Sequence, residues 1–310
     1  MGSSFPVKNV LVTGSSGQIG RFLVPKLQQR FQVRRLDRLE NDSAHIRGDL
    51  LDTTVCRQAV AGMDAIVHLA AVNNRWADSF EENTVSTRNL TLAAIQQGVK
   101  RFLFFSSINV YGQGPFKQSS KIHLPNRLPI DEAEEVHPED PYSLSKLSSE
   151  RELRALCADS HLQVYCLRPA GVWLPGTTRR HSPGPSRILR ANDLIEPWIY
   201  LDARDLAGAV RAFLLAPRLP HFSVSYLNAA DTTRHESTRE LFSRFFPEWV
   251  DRLGPEIRGN RSWFSCRATA DLNWRPIHTW RTPLKSLRYA LRRFLPYSTQ
   301  PASREPDRQR

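Results

Sequence analysis

The stretch Val10-Leu11-Val12-Thr13-Gly14-Ser15-Ser16-Gly17-Gln18-Ile19-Gly20 decides the reading of this chain. An apolar run over Asn9–Val12 predicts a buried strand. Gly14, Gly17 and Gly20 follow at even spacing, and Leu23, Val24 and Leu27 then mark one side of an amphipathic helix. Strand, glycine turn and helix bring backbone N–H groups up to a pyrophosphate at a helix N-terminus. The early glycines allow the turn and the close approach of phosphate, and the last lets the helix pack on the strand. The spacing is Gly-x-x-Gly-x-x-Gly rather than Gly-x-Gly-x-x-Gly, so the motif needs support from elsewhere in the chain.

That support comes in order along the first half. Val33–Leu36 predicts a second strand ending at Asp37-Arg38. An acid there, about twenty residues past the glycines, is placed to accept a hydrogen bond from an adenosine ribose. Its charge also repels a 2′-phosphate, which favours NAD over NADP. Arg38, with Arg34 and Arg35 nearby, pulls the other way and leaves NADP open. His45–Gly48 predicts a short third strand followed by Asp49-Leu50, and Asp64–Leu69 a fourth, ending in His68-Leu69-Ala70-Ala71. Small residues at that end let a cofactor lie against the backbone; His68 reads as a packed strand residue. A helix over Glu81–Gln97 carries Asn83 in its first turn, and Arg101–Phe105 predicts a fifth strand ending at Ser106-Ser107-Ile108-Asn109.

After a polar loop over Gln113–His137, a helix running to Ala158 begins with Tyr142-Ser143-Leu144-Ser145-Lys146. Tyr142 and Lys146 are four apart and share a face. A free phenol has a pKa of about 10 and is a poor base near neutrality. An ammonium one turn away stabilises the phenolate, which makes the pair an acid/base unit.

With Arg168-Pro169 at the end of a sixth strand, these pieces resemble the extended short-chain dehydrogenase/reductase group, the NAD-dependent epimerase/dehydratase family. The resemblance is strong over residues 7–215 and weak over 216–294. It implies an α/β fold, a Rossmann-type doubly wound parallel sheet with a small C-terminal substrate lobe. Residues 1–170, with return segments at 198–230, would form the cofactor domain. Residues 171–197 and 231–295 would form the lobe, and 296–310 a disordered tail, since that stretch is rich in Pro, Arg and Gln and poor in apolar groups.

The resemblance also implies roles. Tyr142 would be the catalytic acid/base, Lys146 would hold the nicotinamide ribose and lower the Tyr142 pKa, and Ser107 would polarise the substrate oxygen. Ser106 lies nearer the cofactor. Gly14, Ser16, Gly17, Gln18, Ile19 and Gly20 would cradle the pyrophosphate, with Asp37 and Arg38 at the ribose and Asp49 and Leu50 flanking adenine. Leu69, Ala70, Ala71, Asn83 and Pro169 would complete the cofactor cleft. Members that remove water from sugars carry an Asp-Glu pair where this chain has Ile108 and Asn109, which argues against dehydration and leaves Asn109 as a substrate contact. The layout is similar to compact uronate dehydrogenases, in which an Arg past the sixth strand clamps a carboxylate. Arg179 and Arg180 stand at that distance, as a clamp or as solvated charges.

Bulk properties narrow the partners. The chain has 310 residues, with 43 Lys+Arg against 31 Asp+Glu and a formal net charge of +12. The excess is spread out and accompanies no nucleic-acid motif, so it suits an anionic small molecule rather than specific DNA or RNA binding. The four cysteines have no Cys-x-x-Cys spacing, which points to reduced thiols in the cytoplasm and no metal site. No apolar run approaches the roughly 20 residues of a membrane span, and no signal peptide is expected. Trp249, Trp263, Trp274 and Trp280 read as core or as pocket caps. Leu147, Leu153 and Leu156 on the Tyr142 helix could pack a homodimer or face the sheet. Three outcomes stay open: net oxidation or reduction, epimerisation with retained NAD, and a cofactor sensor without chemistry.

Overall fold

Strands of this chain read as continuous apolar runs because both faces of the sheet are covered. Within each run the side chains alternate between two cores. Val10, Val12, Leu103, Phe105 and Leu167 point to one. Leu11, Ile66, Phe102, Phe104 and Cys166 point to the other. The computed structural model describes residues 6–39, 46–73, 78–112, 123, 125–175 and 198–281.

Seven strands form one parallel sheet: β1 (Asn9–Thr13), β2 (Gln32–Asp37), β3 (Ile46–Arg47), β4 (Ala65–His68), β5 (Arg101–Phe105), β6 (Gln163–Pro169) and β9 (Phe222–Leu227). Their order is β3-β2-β1-β4-β5-β6-β9, and every pairing is parallel. Two short strands, β7 (Val172–Trp173) and β8 (Leu201–Asp202), pair separately. The helices α1 (Gln18–Leu27) and α5 (Ala203–Leu215) supply residues to the first core. The second core takes residues from α2 (Thr53–Val60), α3 (Ser79–Gln96) and α4 (Pro141–Cys157). This is the doubly wound arrangement expected, and its order reverses between β1 and β4, where such sheets bind ligands.

Two arginines, Arg101 buried and Arg34 partly exposed, fasten helices to the sheet. Arg101 donates to the carbonyls of Phe213, Leu214 and Ala216 at 2.6–2.9 Å. Its charge thus sits on the negative end of α5. Arg34 does the same for α2, donating to the Ala59 and Ala61 carbonyls.

In the second half, α6 spans Thr238–Phe245. Ser237 is its N-cap, and Glu240 completes a reciprocal capping box. Before β8, Trp198 adopts a left-handed φ of 63°, outside the extended range of a strand. Its indole instead packs against Phe242, Phe245 and Phe246. Trp249 and Trp263 are fully buried in the same aromatic cluster. Trp274 lies against Gly208 of α5, and Trp280 donates from Nε1 to the Thr232 carbonyl at 2.8 Å. A short helix, α7 (Ala268–Asp271), follows the cluster. Leu147 and Leu153 are buried within the chain itself and Leu156 is half-buried, so the first two are occupied by intramolecular packing. No helix among the described residues is long and apolar enough to cross a membrane.

Candidate active site

The turn after β1 is shaped by close backbone approach. Gly14 has φ +67°, and a Cβ on it would lie 2.6 Å from the Ala70 nitrogen. A Cβ on Gly20 would lie 2.4 Å from the Gly14 carbonyl oxygen. Only glycine fits either place, and the Gly17 N–H closes the turn by donating to the Gly14 carbonyl at 3.1 Å. Gln18, Ile19 and Gly20 then form the first turn of α1, whose N-cap, Gly17, uses no side-chain hydrogen bond. The N–H groups at such an end are available to an anion.

Beside this turn lies a cleft of about 310 Å³ at the C-terminal ends of β1, β2 and β4. It brings together Gly14, Gly17, Asp37, Arg38, Asp49, Leu50, Leu69, Ala70, Ala71 and Asn83. The Asp37 carboxylate accepts from the Ser16 N–H at 2.9 Å and the Leu39 N–H at 3.1 Å, which fixes it at the end of β2. Arg38 reaches across to Glu82 at 3.1 Å and Asp49 at 3.8 Å. Asn83 accepts from the Val72 N–H at 2.8 Å and donates to its carbonyl at 3.0 Å. It also donates to Ser145 Oγ, which donates in turn to the Tyr142 carbonyl. One amide thus ties the cleft wall to the start of α4.

Reading the sequence did not single out Leu36, Leu39, Gly48, Val72, Asn73, Glu82 or Ser86, which also line the cleft. Glu82 and Ser86 are four apart on α3 beside Asn83, a helical spacing that could have flagged them.

The other half of the site gathers on β5 and α4. Asp140 caps α4 by accepting from the Ser143 N–H at 2.8 Å, with Pro141 in the first turn. That start fixes the phase of the helix. Tyr142 is half-buried, and Lys146 is only 2% exposed. The Lys146 Nζ donates to the Phe105 carbonyl at 2.8 Å and lies 5.6 Å from the Tyr142 ring centre. Burial pushes its pKa down to about 7, opposed by the carboxylate of Glu150 one turn on. Glu150 is itself locked to Arg168 by two hydrogen bonds of 2.9 and 2.7 Å, both side chains being buried.

Ser107 caps a 3-10 turn over Ile108–Tyr111, its Oγ accepting from the Asn109 N–H at 3.1 Å. Its hydroxyl proton remains available for donation. Three buried polar atoms here have no hydrogen-bond partner: Ser16 Oγ, Ser106 Oγ and Asn109 Oδ1. Buried polar groups are normally satisfied, and these three lie by the glycine turn and at the end of β5, where a ligand can reach them. The glycine cradle with Ser16 and Ser106 fits a dinucleotide. Pro169 stands half-buried at the end of β6. Arg179 and Arg180 lie outside the described residues.

His68 is a core residue. It is hydrogen-bonded to Thr13 Oγ1 at 2.7 Å and Thr87 Oγ1 at 3.1 Å. Burial, helped by the nearby Lys146 charge, pushes its pKa down to about 3 and keeps it neutral. No group of side chains among the described residues could hold a metal ion.

Comparison with known proteins gives these features a context. A family model described as NAD dependent epimerase/dehydratase matches residues 10–225. A UDP-glucose 4-epimerase of Vibrio cholerae is 34% identical over 189 residues, 54% of this chain and 53% of that protein. A 2-alkyl-3-oxoalkanoate reductase of Stenotrophomonas maltophilia is 31% identical over 229 residues, 67% of this chain and 66% of that protein. The match thus spans about half the length of the epimerase. In fold, the chain is similar to a uronate dehydrogenase of Agrobacterium tumefaciens, with a TM-score of 0.61 and 20% identity. That likeness covers 93% of this chain and 90% of the other.

Proposed function

Since the chain belongs to the NAD-dependent epimerase/dehydratase family, we propose that it is an oxidoreductase of the extended short-chain dehydrogenase type. It moves hydride between the nicotinamide and a secondary alcohol or ketone of a small, polar, sugar-like substrate. What carries this reading is the buried Lys146 beneath the Tyr142 ring, held by the Phe105 carbonyl.

In the oxidative direction Tyr142 Oη takes the proton of the substrate hydroxyl. Lys146 holds the phenolate: a negative charge arising beside it opposes the effect of burial and keeps the ammonium protonated. Ser107 Oγ donates to the substrate oxygen and orients it for proton transfer. Asn109 Oδ1, buried without a partner, accepts from a second substrate hydroxyl. NAD bound in the cleft supplies the hydride acceptor. The glycine turn takes its pyrophosphate and Asp37 its adenosine ribose. Arg38 is already paired with Glu82 and Asp49, whose charges compete with a 2′-phosphate for it, which supports NAD over NADP. The four cysteines are free thiols, which supports a cytoplasmic location.

The similarity to an epimerase favours a second reading, in which the ketone takes the hydride back on its other face. Incubation with NAD and a panel of sugars, uronates and hydroxy acids separates the two. Accumulating NADH fluorescence supports net oxidation, and a changed sugar without NADH supports epimerisation. In either case Tyr142→Phe is expected to lower turnover by about a thousandfold while NAD affinity stays near that of the parent. Near-normal turnover in that variant overturns the assignment of Tyr142.

A further inference from the structure

A second cleft, of about 430 Å³, opens between α4 and the edge strand β9. It is separate from the cofactor cleft, and no lining residue is common to the two. Four guanidinium groups line it: Arg151 and Arg154 from α4, Arg168 from the end of β6, and Arg267 before α7. Two carboxylates also line it, and both are already engaged. Glu150 accepts two hydrogen bonds from Arg168. Glu132 accepts from the Tyr226 N–H at 2.9 Å and the Arg267 N–H at 3.1 Å.

The exposed arginines are less well matched. Arg151 and Arg154 make no ion pair among the described residues. They are three apart, so they share one face of α4, a placing that costs free energy through like-charge repulsion. The Arg154 guanidinium carbon lies 4.7 Å from the centre of the Phe222 ring, a cation–π contact that holds the group at the cleft. Arg267 is 51% exposed, with its Nε 3.6 Å from Glu132. Beneath them the Arg168–Glu150 pair makes a rigid floor, and Phe222, Val224 and Leu147 give an apolar wall. The volume is that of a small-molecule site rather than a surface dimple.

We propose that this second cleft binds a small anionic ligand through a phosphate or carboxylate group held by Arg151, Arg154 and Arg267. Planar guanidinium groups bind both anions by paired N–H···O bonds, so geometry alone selects the class and not the member. The apolar wall suits a ligand with a carbon body rather than a bare ion.

Two probes, inorganic phosphate and citrate, distinguish the sources. Each is titrated calorimetrically into the full chain at about physiological ionic strength, where diffuse attraction to the basic surface is screened. Saturable binding of either probe is expected, weakened about tenfold or more in Arg151→Ala/Arg154→Ala. Binding of phosphate alone assigns a phosphorylated ligand, and binding of citrate alone assigns a carboxylate. Binding that is unchanged in the double variant lies elsewhere and overturns the proposal, as does the absence of saturation with both probes. A second readout does not depend on the variant's stability. Phenylglyoxal modification of the parent chain, mapped by mass spectrometry, should be slowed by the bound probe at Arg151 and Arg154. Equal modification with and without the probe rejects the site.

Discussion

At one end of the site, where the cleft meets the end of β2, Asp37 is held by two backbone N–H groups, and its neighbours Gly14, Gly17 and Ala70 contribute mainly backbone. At the other end of the site, outside the lining of that cleft, Lys146 is held by a single carbonyl of β5, and its surroundings are side chains: Tyr142, Phe104 and Glu150. The first end is built from backbone, around a turn whose shape follows from glycine. The second is built from side chains of α4 packed on β5. Damage to the first should act on ligand binding, and damage to the second on stability and proton affinity.

The largest expected effect is in the side-chain end. Glu150→Ala leaves the buried Arg168 charge without its partner, at a cost of about 3–5 kcal/mol. Urea denaturation measures it. Replacing both partners, as Glu150→Leu with Arg168→Met, should recover most of that loss, because the desolvation cost of the pair disappears with its attraction. If the double variant is as unstable as the single one, shape rather than charge dominates at that position.

Gly20→Ala tests the backbone end. The added Cβ meets backbone atoms 2.4–2.7 Å away, which cannot move without opening the turn. A stability loss of about 1–3 kcal/mol is expected, with loss of measurable NAD binding in a fluorescence titration. Retention of NAD binding would mean that the turn tolerates opening and that the backbone end is less rigid than its contacts imply.

The same contrast explains what could be read from the sequence. The glycine turn, Asp37 and the Tyr142–Lys146 spacing each show within a few residues, because each depends on local geometry. The order of the sheet follows from alternating strand and helix signals. By contrast, Glu150 looks like any acid on a charged helix, and only the fold brings Arg168 to it. Arg101 caps a helix that begins about a hundred residues later. Arg38 could be weighed as a phosphate acceptor, but its engagement by Glu82 depends on how α3 docks. The left-handed Trp198 is set by an aromatic cluster whose members come from α6, beyond local patterning.

Proton affinities extend the comparison to its dependence on pH. The folded pKa of Lys146, about 7, lies below its unfolded value near 10.5. The unfolded chain therefore binds this proton first, and stability rises with pH across that window. His68 has a folded value of about 3 against 6.5 unfolded, so its contribution is lost as pH falls from 6.5 towards 3. Unfolding followed against pH should show Lys146→Met flattening the alkaline rise and His68→Gln flattening the acid decline. A parallel offset of either curve would place the titration in other groups.

The smallest effect concerns cofactor choice, at the backbone end of the site. Asp37→Asn keeps one of the two oxygens that accept from the backbone, leaves the other N–H without its acceptor, and removes the charge that repels a 2′-phosphate. The preference for NAD over NADP should fall by about tenfold, or about 1.4 kcal/mol. The pairs of Arg38 with Glu82 and Asp49 are partly exposed, so each holds the guanidinium by about 0.2–1 kcal/mol at most. Glu82→Ala should therefore free Arg38 and shift the preference towards NADP by a few-fold at most, without changing affinity for NAD. Competitive titration of the two nucleotides resolves a change of that size. If Glu82→Ala leaves the ratio unchanged while Asp37→Asn alters it, the acid alone sets the choice, and Arg38 serves to bridge the rim of the cleft.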